Sequence, residues 1–153
     1  MKIYIASSWR NQHAVELMTD ELRRLGFEVK SFVEKAVSDE GRHGLAFDVA
    51  AWIESEDGRE KFDYDTNGAM SSDLVIYIGP SGCDAWAEIG AAYASGRHVF
   101  GLRAKGEQIG LMRRMVTWYN DYRDMMDAIW ELKEIVEYNH AMHDKKRRKA
   151  VSA

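Results

Sequence analysis

Short apolar segments alternate along the chain with segments whose apolar residues recur at helical spacing. The clearest apolar segment, residues 74–78, lies between Asp73 and the Gly-Pro-Ser-Gly stretch at 79–82. A run of this kind is typical of a strand buried on both faces of a parallel sheet. The predicted strands are residues 2–6, 27–32, 74–78, 98–102 and 115–119. Because residues 27–32 alternate apolar and polar side chains, that strand is predicted to lie near an edge of the sheet.

Helices are predicted where apolar residues recur every three or four positions. The first has its apolar face formed by Val15, Met18, Leu22 and Leu25 and ends at Gly26. A second contains Leu45, Val49, Trp52 and Ile53 and is expected to break at Asp57-Gly58. The remaining helices are predicted at residues 59–71, 84–95, 109–114 and 122–136, with Gly96 ending the helix at 84–95 and a loop over 34–42.

The alternation of strands and helices predicts an α/β fold, a flavodoxin-like (Rossmann-like) five-stranded parallel sheet with helices on both faces. In such a sheet the carboxyl ends of the first and third strands lie side by side, where ligands commonly bind. The loops that follow these strands carry Ser7, Ser8, Trp9 and Arg10 on one side and Ser81, Gly82, Cys83 and Asp84 on the other. These two loops are therefore predicted to line one cavity.

Length and charge limit the classes of function. The 153 residues suffice for one domain, predicted at 1–140 and followed by a basic tail at 141–153. The net charge is −4, and without the five basic residues at 145–149 it would be −9. An acidic body repels polyanions, so polymeric nucleic acid is not expected as a partner, and the tail is interpreted as solvated.

The cysteine count and the apolar runs indicate where the protein works. The one cysteine, Cys83, is typical of a reducing compartment, and no apolar run reaches the length of a membrane span. A cytoplasmic protein without membrane contact is expected. No histidine has the spacing of a base for Cys83, and His140 with His143 is weak evidence for a metal. Without a GxGxxG or Walker motif, neither a cofactor nor a metal is predicted.

Glu88 is the clearest candidate for chemistry. It is a carboxylate inside the small-sided predicted helix 84–95, just beyond the carboxyl end of the third strand. The residues around it then resemble a family. Tyr4 is followed by Trp9 five positions later, Asp65-Thr-Asn-Gly by Asp73 eight positions later, and Glu88 opens the stretch Glu-Ile-Gly-Ala-Ala-Tyr-Ala-Ser-Gly. Residues 2–120 therefore resemble the nucleoside 2-deoxyribosyltransferase-like superfamily, which includes deoxyribosyltransferases and nucleotide N-glycosidases.

The resemblance implies a role for each matched residue. Glu88 would be the nucleophile that attacks the anomeric carbon and forms a glycosyl-enzyme intermediate. Asp65 would contact the nucleobase and manage its proton, while Tyr4 would hydrogen-bond and orient the Glu88 carboxylate. Trp9 would stack on the base or wall it. The alternatives are a solvated helix position for Glu88, a surface or capping role for Asp65, and core roles for Tyr4 and Trp9.

The substrate-binding loops depart from the family pattern at one position. Family members commonly have Asp or Ser six residues before the glutamate, where this chain has Gly82. Substrate contacts are therefore predicted for the residues around that position and in the opposite loop, namely Ser8, Arg10, Ser81, Gly82 and Asp84. Which sugar hydroxyl is bound, and whether a 5′-phosphate is required, stay open. Asp84 also suits a helix N-cap.

The predicted function is cleavage or transfer of the N-glycosidic bond of a small-molecule nucleoside or nucleotide. Two alternatives are a TIR-like NAD-cleaving enzyme and a nucleotide-binding sensor without turnover. A homodimer or higher homo-oligomer is also expected, by the resemblance and because soft and aromatic residues concentrate in the last third of the chain. These residues are Met112, Met115, Trp118, Tyr119, Met125, Met126 and Trp130. The alternative is that they cover the sheet edge of a monomer.

Overall fold

A computed structural model describes residues 1–35, 48–107 and 110–151, and they form a five-stranded sheet. The strands are β1 (Lys2–Ala6), β2 (Glu28–Ser31), β3 (Leu74–Ile78), β4 (His98–Leu102) and β5 (Thr117–Tyr119). All neighbouring strands are parallel, in the order β2-β1-β3-β4-β5. This is the flavodoxin-like order. The predicted fold and the edge position of β2 are therefore confirmed.

Helices cover both faces of the sheet. They are α1 (Gln12–Arg24), α2 (Val49–Ile53), α3 (Glu56–Ser71), α4 (Cys83–Ala94) and α5 (Tyr122–Val151), with short 3-10 helices at Trp9–Asn11, Phe32–Lys35 and Leu111–Met115. Gly26 and Gly96, just after α1 and α4, have φ angles of 86° and 72°, which glycine adopts readily. Both predicted helix ends are therefore confirmed.

The predicted helix break at Asp57-Gly58 is wrong. Both residues lie in the first turn of α3, and the Ser55 hydroxyl caps that turn by accepting the Gly58 N–H at 3.1 Å. A Cβ at Gly58 would collide with the Trp52 carbonyl oxygen. The glycine therefore permits close packing of α2 and α3 rather than ending a helix.

Other predicted boundaries differ by a few residues or fall outside the described chain. The predicted strand at 115–119 begins only at Thr117, because Met115 belongs to the preceding 3-10 helix. Leu45 and most of the predicted loop at 34–42 lie outside the described residues, as does Ile109. Helix α5 continues across the predicted boundary at 140, and the division into a domain and a tail stays a prediction.

Alternate residues of each central strand face two separate apolar cores. Ile3, Ile5 and Ile76 pack with α1 and α5 on one face of the sheet. On the other face Tyr4 and Tyr77 lie in a core with small residues of α3 and α4, namely Ala69, Ala85 and Ala92. Small side chains let these two helices approach the sheet closely. No described helix combines the length and the apolar character that crossing a membrane requires.

Candidate active site

The loops after β1 and β3 are joined by side-chain hydrogen bonds at the carboxyl edge of the sheet. The Ser7 hydroxyl donates to the Ile78 carbonyl oxygen at 2.5 Å. The Asn11 amide nitrogen donates to Ser7 Oγ at 3.0 Å, to the Ile78 carbonyl oxygen at 3.2 Å and to the Pro80 carbonyl oxygen at 3.1 Å. The structure thus brings the two predicted loops together. Asn11 was not predicted to have this role.

Tyr4 connects the sheet to α3. Its ring is fully buried, and its hydroxyl donates to Asp65 Oδ1 at 3.0 Å. Gly68 lies above the ring, and a Cβ added there would be 2.6 Å from Tyr4 Cδ2. The absence of a side chain at Gly68 therefore lets the tyrosine extend beneath α3 and reach Asp65.

Lys61 completes this group from one turn earlier on α3. It is only 4% exposed, and its ammonium forms an ion pair with Asp65 Oδ2. The same ammonium lies 5.7 Å from the centre of the Phe32 ring. Sequence reasoning missed Lys61, although its i,i+4 spacing to Asp65 within the predicted helix 59–71 was a usable signal.

Glu88 on α4 is the second carboxyl of the site. Among the described side chains it is one of the few with a buried polar atom, Oε2, that has no hydrogen-bond partner. Burial raises the pKa of Glu88 to about 8, and the negative charge of Asp65 adds to the rise. The Lys61 ammonium and the Tyr4 hydroxyl oppose it, whereas Asp84 strengthens it.

The pKa values of Asp65 and Tyr4 are also changed by burial and by the neighbouring charges. Burial raises the pKa of Asp65 above its usual value, and Lys61 is the largest opposing influence, followed by Tyr4. Burial also raises the pKa of Tyr4, and the charges of Glu88 and Asp65 raise it further. Two carboxyls, a phenol and an ammonium therefore form one coupled group, whose protons belong to the set rather than to single residues.

Tyr4 interacts with both carboxyls. The Tyr4 hydroxyl donates a hydrogen bond of 3.0 Å to Asp65. It also interacts with the Glu88 carboxyl, which raises the pKa of Tyr4. The structure thus brings Tyr4, Asp65 and Glu88 together, as the resemblance implied. Their chemical roles remain predictions.

The predicted substrate-binding residues of the first loop differ in burial and in their contacts. Trp9 is partly buried and packs edge-to-face on Phe32, with ring centres 5.1 Å apart. The Ser8 hydroxyl oxygen is buried without a partner among the described residues, whereas Arg10 is exposed. The binding roles of these three residues also remain predictions.

The loop before α4 corrects one expectation. Gly82 occupies the N-cap position of α4, so Asp84 is not the N-cap and lies in the first turn. Gly82, Cys83 and Asp84 are all exposed, and Asp84 raises the pKa of both Asp65 and Glu88. Asp84 therefore acts on the site through its charge.

A second polar group, missed by sequence reasoning, lies beside this loop. The Tyr77 hydroxyl donates to the Glu107 carboxylate, with both oxygens at 2.8 Å, and accepts from Ser81 Oγ at 3.0 Å. The rings of Trp86 and Trp118 lie 5.0 and 5.8 Å from the Tyr77 ring. This group holds the segment after β4 against the segment after β3. No sequence motif marked it.

Metal binding has no evident site in the part of the chain that the structure describes. No group of three or more His, Cys, Asp or Glu side chains there could hold a metal ion. The chemistry that the described residues offer is instead that of a buried carboxyl pair with a phenol and an ammonium.

Two solved structures share the fold over most of this chain. The 2-deoxyribosyltransferase of the psychrotolerant bacterium Bacillus psychrosaccharolyticus is 24% identical, with a TM-score of 0.61 over 82% of this chain and 90% of that one. The CMP N-glycosidase of Clostridium botulinum is 17% identical, with a TM-score of 0.55 over 84% of this chain and 98% of that one. No protein-family model matches the sequence, and no curated protein matches it significantly.

These likenesses concern the fold. They agree with the predicted α/β fold, a five-stranded parallel sheet with helices on both faces. The activities named for these two enzymes are not thereby shown for this chain.

Proposed function

We propose that this protein is an enzyme that cleaves or transfers the N-glycosidic bond of a nucleoside, deoxynucleoside or nucleotide. Glu88 is its nucleophile, and the intermediate is a covalent glycosyl-enzyme. The observation that carries the proposal is the buried Glu88 carboxyl. Its Oε2 has no hydrogen-bond partner among the described residues, and it lies next to the hydrogen-bonded group of Tyr4, Asp65 and Lys61. A buried carboxyl with unsatisfied hydrogen-bonding capacity is costly for the fold and is typical of functional sites.

The reaction balances with the groups of this site. The Glu88 carboxylate attacks the anomeric carbon, the bond from that carbon to the base nitrogen breaks, and the base leaves with the electron pair. The departing base takes up one proton, which Asp65 supplies. Water in a hydrolase, or a second nucleobase in a transferase, then attacks the anomeric carbon of the glycosyl ester. The Glu88 carboxylate leaves with the electron pair, and the proton that the attacking group loses returns to Asp65.

The proton count of the carboxyl pair fits these roles. Because burial raises the pKa of Glu88 to about 8, the site holds a proton at neutral pH. When that proton passes from Glu88 to Asp65, Glu88 becomes the anionic nucleophile and Asp65 the acid.

The proposal is tested by offering the protein separate pools of deoxynucleosides, deoxynucleotides and NAD and measuring released base by chromatography. We expect base from one of the first two pools, and a loss of rate on the order of a thousandfold or more in Glu88→Gln. The matched control is Glu131→Gln, which changes an exposed carboxylate on α5 and should keep the wild-type rate.

The intermediate has its own test. Acid quenching during turnover, followed by mass spectrometry of the digested protein, should find the glycosyl group on the peptide that contains Glu88. A Glu88→Gln variant with wild-type turnover would overturn the mechanism. Base released only from NAD would favour the TIR-like alternative, and no base from any pool would favour the sensor.

A further inference from the structure

Lys61 is an unusual residue for the interior of this fold. Its side chain is 5% exposed, and its described partners are the Asp65 carboxylate and the face of the Phe32 ring. A buried ammonium is unfavourable unless an opposite charge compensates it. Lys61 lies on α3 one turn before Asp65, whose carboxylate supplies the opposite charge.

We propose that Lys61 is the positioning residue of this site: its ammonium fixes Asp65 and balances the second negative charge beside Glu88. The proposal rests on the proposed function and deepens it, because it names the group that keeps the carboxyl pair usable near neutral pH. Lys61 itself touches no reacting atom in this mechanism and acts through Asp65 and Glu88.

The groups that change the pKa of Glu88 come from three elements. Lys61 and Asp65 approach from α3, Tyr4 from β1, and Asp84 lies on α4 with Glu88 itself. Asp65 and Asp84 raise the pKa of Glu88, and Lys61 lowers it. Lys61 also lowers the pKa of Asp65. It therefore favours the ionised form of both carboxyls.

Because Lys61 lowers the pKa of both carboxyls, removing its charge should have a predictable direction. Without the ammonium, the pKa values of both Asp65 and Glu88 rise, so the pair keeps two protons to a higher pH. A pair with two protons contains no carboxylate nucleophile. Loss of the Lys61 charge should therefore displace the whole pH range of activity upward, not merely lower the rate.

The test compares Lys61→Gln, which keeps a hydrogen-bond donor without the charge, with Lys61→Arg, which keeps the charge. Lys133→Gln is the matched control, since Lys133 also has an i,i+4 carboxylate partner, Glu137 at 3.9 Å, and also lies over an aromatic ring, that of Trp130 at 4.7 Å. Lys133 is on α5, which packs on the opposite face of the sheet.

Two readouts are measured across pH for each variant. One is kcat/KM for base release. The other is the titration of the Glu88 carboxyl by carbon-13 NMR of glutamate-labelled protein, assigned by the signal that Glu88→Gln removes. In Lys61→Gln we expect both to move upward by about one pH unit. Lys61→Arg and Lys133→Gln should leave both near their wild-type positions.

Defined results would overturn the proposal. One is a folded Lys61→Gln protein in which Glu88 titrates as in the wild type, and another is a loss of activity that is equal at every pH. If Lys61→Gln does not fold, a displaced titration in Lys61→Arg, which retains the charge, would overturn it as well. If the wild type releases no base, the proposed function fails, while the NMR titration still decides the effect of Lys61.

Discussion

The Glu88 carboxyl makes the folded protein sensitive to pH. Its ordinary pKa is 4.5, and burial raises the pKa to about 8 in the folded state. Between these values the folded chain holds a proton that the unfolded chain has released. Stability therefore decreases as the pH rises through this window.

Replacing Glu88 with Gln removes this dependence. We expect Glu88→Gln to be more stable than the wild type at about pH 9, by an amount on the order of a few kcal/mol, and to lose most of that advantage at about pH 5. Urea unfolding at the two pH values measures the difference. An advantage of equal size at both pH values would contradict the raised pKa, and Glu131→Gln should show no comparable pH dependence.

At the level of single residues, the sequence predicted those site residues that belong to a recognisable motif. Tyr4, Asp65 and Glu88 were predicted as one site, and they lie together. Asn11 was not predicted, because the fold alone brings it close to Ile78 and Pro80. Lys61 was not predicted either, although its i,i+4 spacing to Asp65 was visible in the sequence. An i,i+4 pair such as Lys61 with Asp65 is usually a weak surface contact, and its burial could not be deduced from spacing alone.

Between elements, the contact of α3 with β1 depends on Gly68. A methyl group there would lie 2.6 Å from the Tyr4 ring, so Gly68→Ala should displace the ring and lengthen its hydrogen bond to Asp65. We expect base release to fall by roughly tenfold or more, since small misplacements of catalytic groups are costly. Steady-state kinetics, with a substrate identified by the base-release assay proposed above, measures the effect.

Gly90→Ala is the matched control for this prediction. Gly90 is also inside a helix, α4, but an added Cβ meets nothing within 4 Å. Alanine there should keep the activity and stabilise the protein by up to about 1 kcal/mol, because alanine favours the helix over glycine. Equal activity in both alanine variants would show that the Tyr4 position does not depend on Gly68.

The elements themselves were largely predictable, because alternating strand and helix patterns are strong signals. All five strands and the central helix α4 fall where the apolar pattern predicts them. The error at Asp57-Gly58 arose because glycine was interpreted as a helix end. There the serine cap and the contact with Trp52 outweigh the low helix propensity of Gly58.

For the whole molecule, homo-oligomerisation stays a prediction, and the structure changes which residues support it. Met125 and Met126 were counted among the interface candidates, but they are buried in the core at 0% and 8% exposure. The exposed apolar residues of α5 include Trp130, which was predicted, and also Tyr122, Ile135, Tyr138 and Met142. Ile135, Tyr138 and Met142 are spaced by three and four residues, so they place exposed apolar surface on one side of the helix.

Size-exclusion chromatography with light scattering tests this prediction. We expect a mass that is a multiple of the 17.5 kDa chain, and a smaller mass for Tyr138→Glu. Tyr93→Glu is the matched control, since Tyr93 is a similarly exposed tyrosine on α4, across the sheet from α5. A wild-type mass of one chain, at micromolar concentration and with full activity, would show that each site is built from a single chain.

The hydrogen bonds of Asn11 bear on which substitutions the two loops tolerate. The acceptors are the carbonyl oxygens of Ile78 and Pro80 and the hydroxyl of Ser7. The bonds that align the two loops therefore do not involve the side chains at positions 82–84. A change of side chain at those positions can alter the exposed surface of the second loop while these bonds remain.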